Sequence, residues 1–441
     1  AVVAAGCVLA VVLGAGAPLP GIQNTPAVST VTPVPGDTVI VCNGSFRALG
    51  RASVRAEAMV SAAGATLTVD RTQTEPEVDE IAMPDVTGGT GAQSLTGVVV
   101  DRTAPLLSAA ESMTVDAEDM RGFAAAPCRE PATTSWLVGG DVSTGASDII
   151  VLSNPGDVPA TVQLDVYGEA RAASTTIVPA GTQLGVPLAS VASGEPRPVV
   201  QVTSDGVPIR ATLQSSLIRT LDPVGIDMQD GVSGPQDHLT LLGVQAASAP
   251  GDDATAVVLR VLAPESDAQA TVRVRPVGGA DSEVEEFPVA LTAAIPAEVA
   301  LSGLEPGVYD IEVTGSSPLV AAVRQTVRAG TEADFAWMTA APEIVAETAF
   351  TVPRGPSPLL VLKNTGTTDA SVELTGGTEQ QVLVPAGASV SVPVRSGSSW
   401  RLTPSSPVRA AVTMNDEDGA NVAGWPLTPS AVNQQPIDVR P

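Results

Sequence analysis

From Trp136 onward the chain is written in short runs in which apolar and polar residues alternate, each run closed by Gly, Pro or Asn. In Thr161–Tyr167 (TVQLDVY), Val162, Leu164 and Val166 lie on one side, Gln163 and Asp165 on the other. A period of two is the pattern of a half-buried strand. Asn154-Pro155-Gly156 supplies the turn before this run, and Pro179-Ala180-Gly181 supplies the next. Comparable runs follow at Val257–Leu262 (VVLRVL), Thr271–Val277 (TVRVRPV) and Tyr309–Gly315 (YDIEVTG). Others stand at Leu359–Asn364 (LLVLKN), Ser371–Gly376 (SVELTG) and Ala388–Val394 (ASVSVPV), where Val390, Val392 and Val394 share a face. No amphipathic helix separates them, so the pattern predicts antiparallel sheets.

The runs also repeat. Asp148–Gly156 (DIIVLSNPG) returns as Leu359–Gly366 (LLVLKNTG), and Val178–Gly181 (VPAG) as Val384–Gly387. Val186-Pro187 returns as Val392-Pro393, and Pro208–Ala211 (PIRA) as Pro407–Ala410 (PVRA). A third copy lies between them, Val313–Val323 (VTGSSPLVAAV) matching Leu402–Val412 (LTPSSPVRAAV). One small all-β unit has therefore been duplicated in tandem. The predicted fold is all-β, a series of immunoglobulin-like antiparallel β-sandwiches following an N-terminal membrane segment. Its expected divisions are a signal or anchor over 1–20, a Pro-rich linker over 21–35 and a divergent β domain over 36–135. Three sandwiches over 136–237, 238–339 and 340–433 come next, then a loose tail over 434–441. In the divergent domain, strands are expected at Asp37–Cys42 (DTVIVC) and Leu95–Asp101 (LTGVVVD). Thr72–Gly91 reads there as an exposed polar loop, and Ala109–Ala126 admits a helical turn.

Composition sharpens this picture. The 441 residues have room for three to five small domains. Aromatics are 2% of a chain that is 44% hydrophobic, so its cores must be thin and aliphatic. The 41 Gly and 38 Pro suit short strands joined by tight turns. Formal net charge is −26, and Lys363 is the only lysine. A nucleic-acid partner is excluded on that balance, because phosphate binding needs a basic surface. Acidity leaves open divalent cations, a cationic partner, or plain solubility of an exported protein.

Ala1–Leu19 is an uncharged apolar run at the lower edge of what spans a bilayer. It is compatible with an uncleaved anchor, a cleaved signal peptide or, through Ala5-Gly6-Cys7, a lipoprotein signal. Every reading places the rest of the chain outside the cytoplasm, tethered by this segment in the anchored form. Beyond it stand two cysteines, Cys42 and Cys128. An even pair in an oxidising location reads as a disulfide. A metal or redox pair is the competing reading, with no CxxC or His cluster to support it.

Catalytic chemistry has few residues to draw on. His238, the only histidine, has no GxSxG nucleophile elbow to serve. Zinc sites need several His or Cys ligands, and Gly88-Gly89-Thr90-Gly91 is a turn rather than a phosphate loop. A pair of glycosidase carboxylates could hide among the 48 acidic residues. Asn415–Gly419 (NDEDG) is the best calcium candidate but fails the EF-hand pattern at Met414. The expectation is a protein with no catalytic residue, metal or cofactor. Trp136 and Trp337 mark unit junctions and either stack a ligand or fill a core or seam. Trp400 and Trp425 read as structural, and Trp136, Trp337 and Trp400 stand as possible interface residues.

The run Trp136–Gly140 (WLVGG), the segment VLSNPGDVPATVQLDVYG, IVPAG and QSSLIRTLDPVGID resemble an uncharacterised actinobacterial family of exported, membrane-anchored proteins. The paired cysteines and the later Asp334–Trp337 (DFAW) fit the same resemblance, which covers nearly the whole chain from Asp37. Such proteins are often encoded beside a membrane glycosyltransferase. The resemblance therefore implies an extracytoplasmic accessory or scaffold for envelope glycan assembly, shaped as a membrane-tethered rod. An adhesin-like ligand-binding module is the alternative, and it calls for an exposed patch around Trp337 or Trp400.

Overall fold

Asn154 and Asn364, the repeated Asn of the NPG and NTG turns, show why the repeats fold alike. Each side chain is buried and works in both directions. Asn154 Nδ2 donates to Val158 O (2.8 Å) and Val178 O (3.1 Å), and its Oδ1 accepts from Gly156 N (2.9 Å). Asn364 does the same with Thr368 O, Val384 O and Gly366 N. The turn is thereby tied to the end of a strand some twenty residues on, which satisfies backbone groups that burial would otherwise orphan.

The computed structural model describes residues 29–31, 35–50, 58–71, 75–247, 257–279, 284–328, 332–416, 421–430 and 437–439. They are nearly all β, with one helix of four residues, Leu188–Val191. None of their helices is long and apolar enough to cross a membrane. The apolar run 1–20 and residues 417–419 of the NDEDG candidate lie outside the described residues. Ser29–Val31, within the expected linker, pairs antiparallel with Ile437–Val439, within the expected tail. Residues 35–433 form a separate compact body.

Within that body one strand plan recurs. The unit after Cys128 has eight strands: Thr134–Leu137, Ile149–Asn154, Ala160–Tyr167, Ala172–Val178, Thr182–Pro187, Val199–Asp205, Arg210–Arg219 and Asp222–Asp230. Counted in that order, they make two sheets, 1-6-3-4 and 5-2-7-8. Val162, Leu164 and Val166 are buried as the alternation predicts, in one cluster with Ile150, Leu152 and Leu213 of the other sheet.

The last unit repeats the order with Thr348–Val352, Leu359–Lys363, Ala370–Thr375, Gln380–Val384, Ser389–Pro393, Ser398–Pro404, Val408–Asn415 and Val422–Pro426. The third unit repeats it too, but its sixth and seventh strands are one strand, Gly307–Val327. Up to Gly315 that strand pairs with Ala268–Pro276, and from Val320 it pairs with Val257–Leu262, so it passes from one sheet to the other. In an immunoglobulin domain the first strand pairs with the second and the seventh with the sixth. Here the first pairs with the sixth and the seventh with the second.

The divergent first unit is a trimmed copy of the same plan. Thr38–Val41, Ala92–Gly97 and Glu77–Ile81 make the 1-6-3 sheet, and Thr66–Val69, Ala109–Ala117 and Met120–Pro127 make the 2-7-8 sheet. A small sheet of Phe46–Ala48, Met59–Ala63 and Val86–Thr87 is added. Two expectations are corrected here. Ala109–Ala126 holds no helical turn but a hairpin, in register from Ala117–Met120 to Ala110–Pro127, because both of its strands are buried against neighbours. The polar stretch Thr72–Gly91 contains the strand Glu77–Ile81, whose first four residues are exposed on a sheet edge.

The four units close into a ring rather than a rod. Arg47 of the first unit exchanges backbone bonds with the Gln214 side chain of the second (2.8 and 2.6 Å). Arg260 of the third donates to Gly140 O (2.7 Å) and Pro198 O (3.0 Å) of the second. Lys363 of the fourth sits 3.2 Å from Asp310 and 3.1 Å from Glu312 of the third. Between fourth and first, Ser108 Oγ meets Thr351 Oγ1 at 2.8 Å, and Phe123 and Ala125 belong to the fourth unit's core.

Candidate functional site

The ring is held at its centre by the eighth strand of every unit. The carboxylate of Asp334 accepts N–H bonds from Ile226 at Oδ1 (3.1 Å) and from Phe123 (3.1 Å) and Val422 (3.2 Å) at Oδ2, and also from Phe335. Ile226, Phe335 and Val422 occupy the same register in their hairpins, opposite Ser216, Thr326 and Asn415. One backbone donor from each unit thus converges on a single side chain. Burial pushes the Asp334 carboxyl well above the usual range, while the four donors pull it down.

Gly122 and Gly225 make the approach possible. A Cβ at either would stand 2.6 or 2.7 Å from Asp334 Oδ1, and Gly225 adopts φ +118°.

A cleft of about 290 Å³, lined by none of the hub residues, is also built by all four units. Ile40, Ile209, Leu239, Val320, Phe350 and Trp425 give it apolar walls. Arg129, Arg210 and Asp230 give it polar ones. Asp230 Oδ1 accepts from Arg210 Nη2 (2.6 Å) and Oδ2 from Arg129 Nε (3.0 Å). Arg129 also donates to Thr428 Oγ1 (2.5 Å) and Pro426 O, which fastens the fourth unit's last segment to the first. Arg210 is the Arg of the repeated PIRA motif, and in the third unit the matching position holds Val320, on the wall of the same cleft. The repeat itself was the signal that could have singled Arg210 out. Nothing local marks Arg129 or Asp230.

The sequence-predicted residues lie elsewhere. Cys42 and Cys128 form a disulfide, Cα to Cα 4.3 Å, immediately after the first and eighth strands of the first unit. Next to it Val41 and Arg129 exchange backbone bonds (2.7 and 3.0 Å), and the second unit makes the equivalent pair between Trp136 and Val232 (2.8 and 2.9 Å) without a disulfide. Trp136, Trp337 and Trp400 are 4, 3 and 3% exposed. Trp136 and Trp337 share an apolar cluster at the seam between second and third units, with Arg260 stacked 4.8 Å over Trp337. Trp400 stacks on Phe350 in the fourth unit's core, ring centroids 6.4 Å apart. None is the exposed platform an adhesin reading requires, because these large rings close cores and seams in a chain with few aromatics.

His238 is exposed, with Nδ1 3.0 Å from Thr314 Oγ1. Burial raises Asp148 to about 7 and Asp227 to about 8. Asp227 accepts from Trp337 N (2.8 Å) and Asp148 from Asp141 N (2.7 Å), and neither lines the cleft. Among the described residues no group of three or more His, Cys, Asp or Glu could hold a metal ion.

A family model described as "Family of unknown function (DUF5719)" matches residues 85–405, from the first unit into the fourth. No curated protein matches the chain.

Proposed function

The chain belongs to the family of unknown function DUF5719, and from that premise we propose that it is a non-catalytic, extracytoplasmic scaffold of the cell envelope. Its four units are tandem β-sandwiches of immunoglobulin-like kind whose first, fourth and seventh strands have changed sheets, with the N-terminal apolar run tethering them to the membrane. The observation that carries this reading is the hub at Asp334. A carboxylate that collects one N–H from each of four units fixes their relative positions, and such rigidity serves presentation of a surface rather than opening and closing over a substrate. Arg129 and Arg210 add ties between units, binding Asp230 and the backbone carbonyls of Pro426 and Pro127. The disulfide of Cys42 and Cys128 supports an oxidising location. The partner we infer is a membrane glycosyltransferase or another envelope protein, the scaffold acting as accessory to envelope glycan assembly.

Native purification of the tagged protein from its own host in mild detergent, followed by mass spectrometry, tests this. Co-purification of a membrane glycosyltransferase is the expected result. Recovery of the protein alone, with envelope glycans unchanged on gene deletion, overturns the accessory role.

A further inference from the structure

We propose that the cleft at the four-unit junction binds a ligand with an unbranched apolar chain ending in a single carboxylate. This goes beyond the scaffold reading and stands on different residues from the hub.

The charge at the cleft is the first argument. Two guanidinium groups, Arg129 and Arg210, face one carboxylate, Asp230, so the trio keeps one positive charge in a chain of net −26. The other nearby carboxyls, Glu130 beside Arg129 and Glu111 toward Arg210, lie outside the trio. Glu130 borders the cleft but is exposed, where solvent screens it. Glu111 is fully buried, lines no part of the cleft, and spends both carboxyl oxygens on the N–H groups of Asn43 and Gly44.

Unfilled donors are the second. Arg210 is 4% exposed, and its Nε has no acceptor in the protein. A buried donor left so is unfavourable until an acceptor reaches it. Arg129 uses three of its N–H groups on Asp230, Thr428 and Pro426, and a guanidinium has five in a planar fork. A carboxylate matches that fork and brings one negative charge, which the net charge of the trio balances.

Shape and lining are the third. The walls are aliphatic and aromatic side chains from all four units, and about 290 Å³ is room for roughly ten water-sized groups. A chain of that many carbons fills it, burying apolar surface at about 25 cal/mol per Å². An amine end would meet the arginines, and a hydroxyl end would leave their charge unmatched.

The probe is decanoate below its micelle concentration, with decylamine and decanol as comparators, titrated calorimetrically against the full-length protein. Emission of Trp425, the one tryptophan in the cleft wall, is followed in parallel. One saturable site is expected, with decanoate at least tenfold tighter than either comparator. Arg129→Gln should erase that preference. Ala340→Phe, which narrows the cleft without removing a hydrogen-bonding group, should weaken decanoate at least tenfold while leaving the melting temperature near that of the parent. Equal binding of all three probes overturns the carboxylate assignment, and binding unaffected by Ala340→Phe overturns the site. Absence of decanoate binding overturns the proposal and leaves the scaffold standing or falling on its partner purification alone.

Discussion

Gly225 stands so close to Asp334 that a Cβ on the glycine would lie 2.7 Å from the carboxylate Oδ1 and 2.7 Å from Phe335 N. The contact joins the second unit to the third at the hub. Gly225→Ala should therefore cost more than its left-handed φ of +118° alone, which is worth about 1–2 kcal/mol. Gly303→Ala is the control, because Gly303 has φ +88° and nothing within 4 Å of its missing Cβ. Thermal denaturation should show a drop for Gly225→Ala at least twice that for Gly303→Ala. Equal drops would mean that the approach to Asp334 carries no energy.

Asp334→Ala leaves the N–H groups of Phe123, Ile226, Phe335 and Val422 without their acceptor. Each buried orphan costs about 1–3 kcal/mol, though not additively. Unfolding free energy should fall by more than about 3 kcal/mol. Hydrogen exchange should speed up at Phe123, Ile226 and Val422 together, in three different units. Acceleration confined to the third unit would contradict the hub.

The sole lysine makes a sharper electrostatic test. Lys363 and Asp310 are 1 and 2% exposed, and burial raises the Asp310 pKa while the neighbouring ammonium lowers it. Lys363→Met strands a buried carboxylate, at a cost of about 3–5 kcal/mol. Lys363→Met with Asp310→Asn should recover much of that loss in urea unfolding, a coupling a double-mutant cycle reads directly.

Stability should fall as pH rises from about 4 through 8. Asp148 and Asp227 titrate near 7 and 8 in the folded protein, raised chiefly by burial above their ordinary value of 3.8. Between those limits the folded state holds protons that the unfolded chain has released. The stability from these two groups is thus complete below about pH 4 and is lost as pH climbs through the folded values. Melting temperatures across that range, at ionic strength high enough to screen the net charge, should decline less steeply in Asp227→Asn. A profile unchanged by that substitution would rule Asp227 out as the source.

Reduction probes the first unit. Its disulfide spans 86 residues, and chain entropy assigns such a loop about 4–5 kcal/mol. Cys42→Ser with Cys128→Ser should lower the unfolding free energy by an amount of that order. A loss under about 1 kcal/mol would show that the neighbouring backbone bonds between Val41 and Arg129 suffice on their own.

How much of this was legible in the sequence depends on distance along the chain. The alternation in Thr161–Tyr167 and the repeated NPG and NTG turns stated the strands and their duplication, because each is settled between neighbouring residues. The fourth copy was harder to see. Its strands over 66–81 are short, and Ala109–Ala126 is rich in a residue that favours helix until tertiary burial overrides it. The hub was visible only as a letter, the Asp of DFAW, since three of its four donors are backbone groups 88 to 211 residues away. Backbone donors leave no mark on sequence. The tryptophans were legible only as a pair of alternatives. A large ring at a unit boundary suits an open platform or a closed seam equally, and only the closure of the ring decides between them.

That closure puts a clock into the making of the protein. Arg129 must wait for an acceptor 299 residues downstream, and Phe123 for a core built almost wholly from the fourth unit. Contacts so far apart form slowly, and a chain delivered from its N-terminus cannot complete its first unit until its last has arrived. A copy cut short anywhere in the fourth unit therefore displays Phe123 without the core that covers it, and a protease or chaperone that meets the chain could recognise the defect at its end by looking near its start.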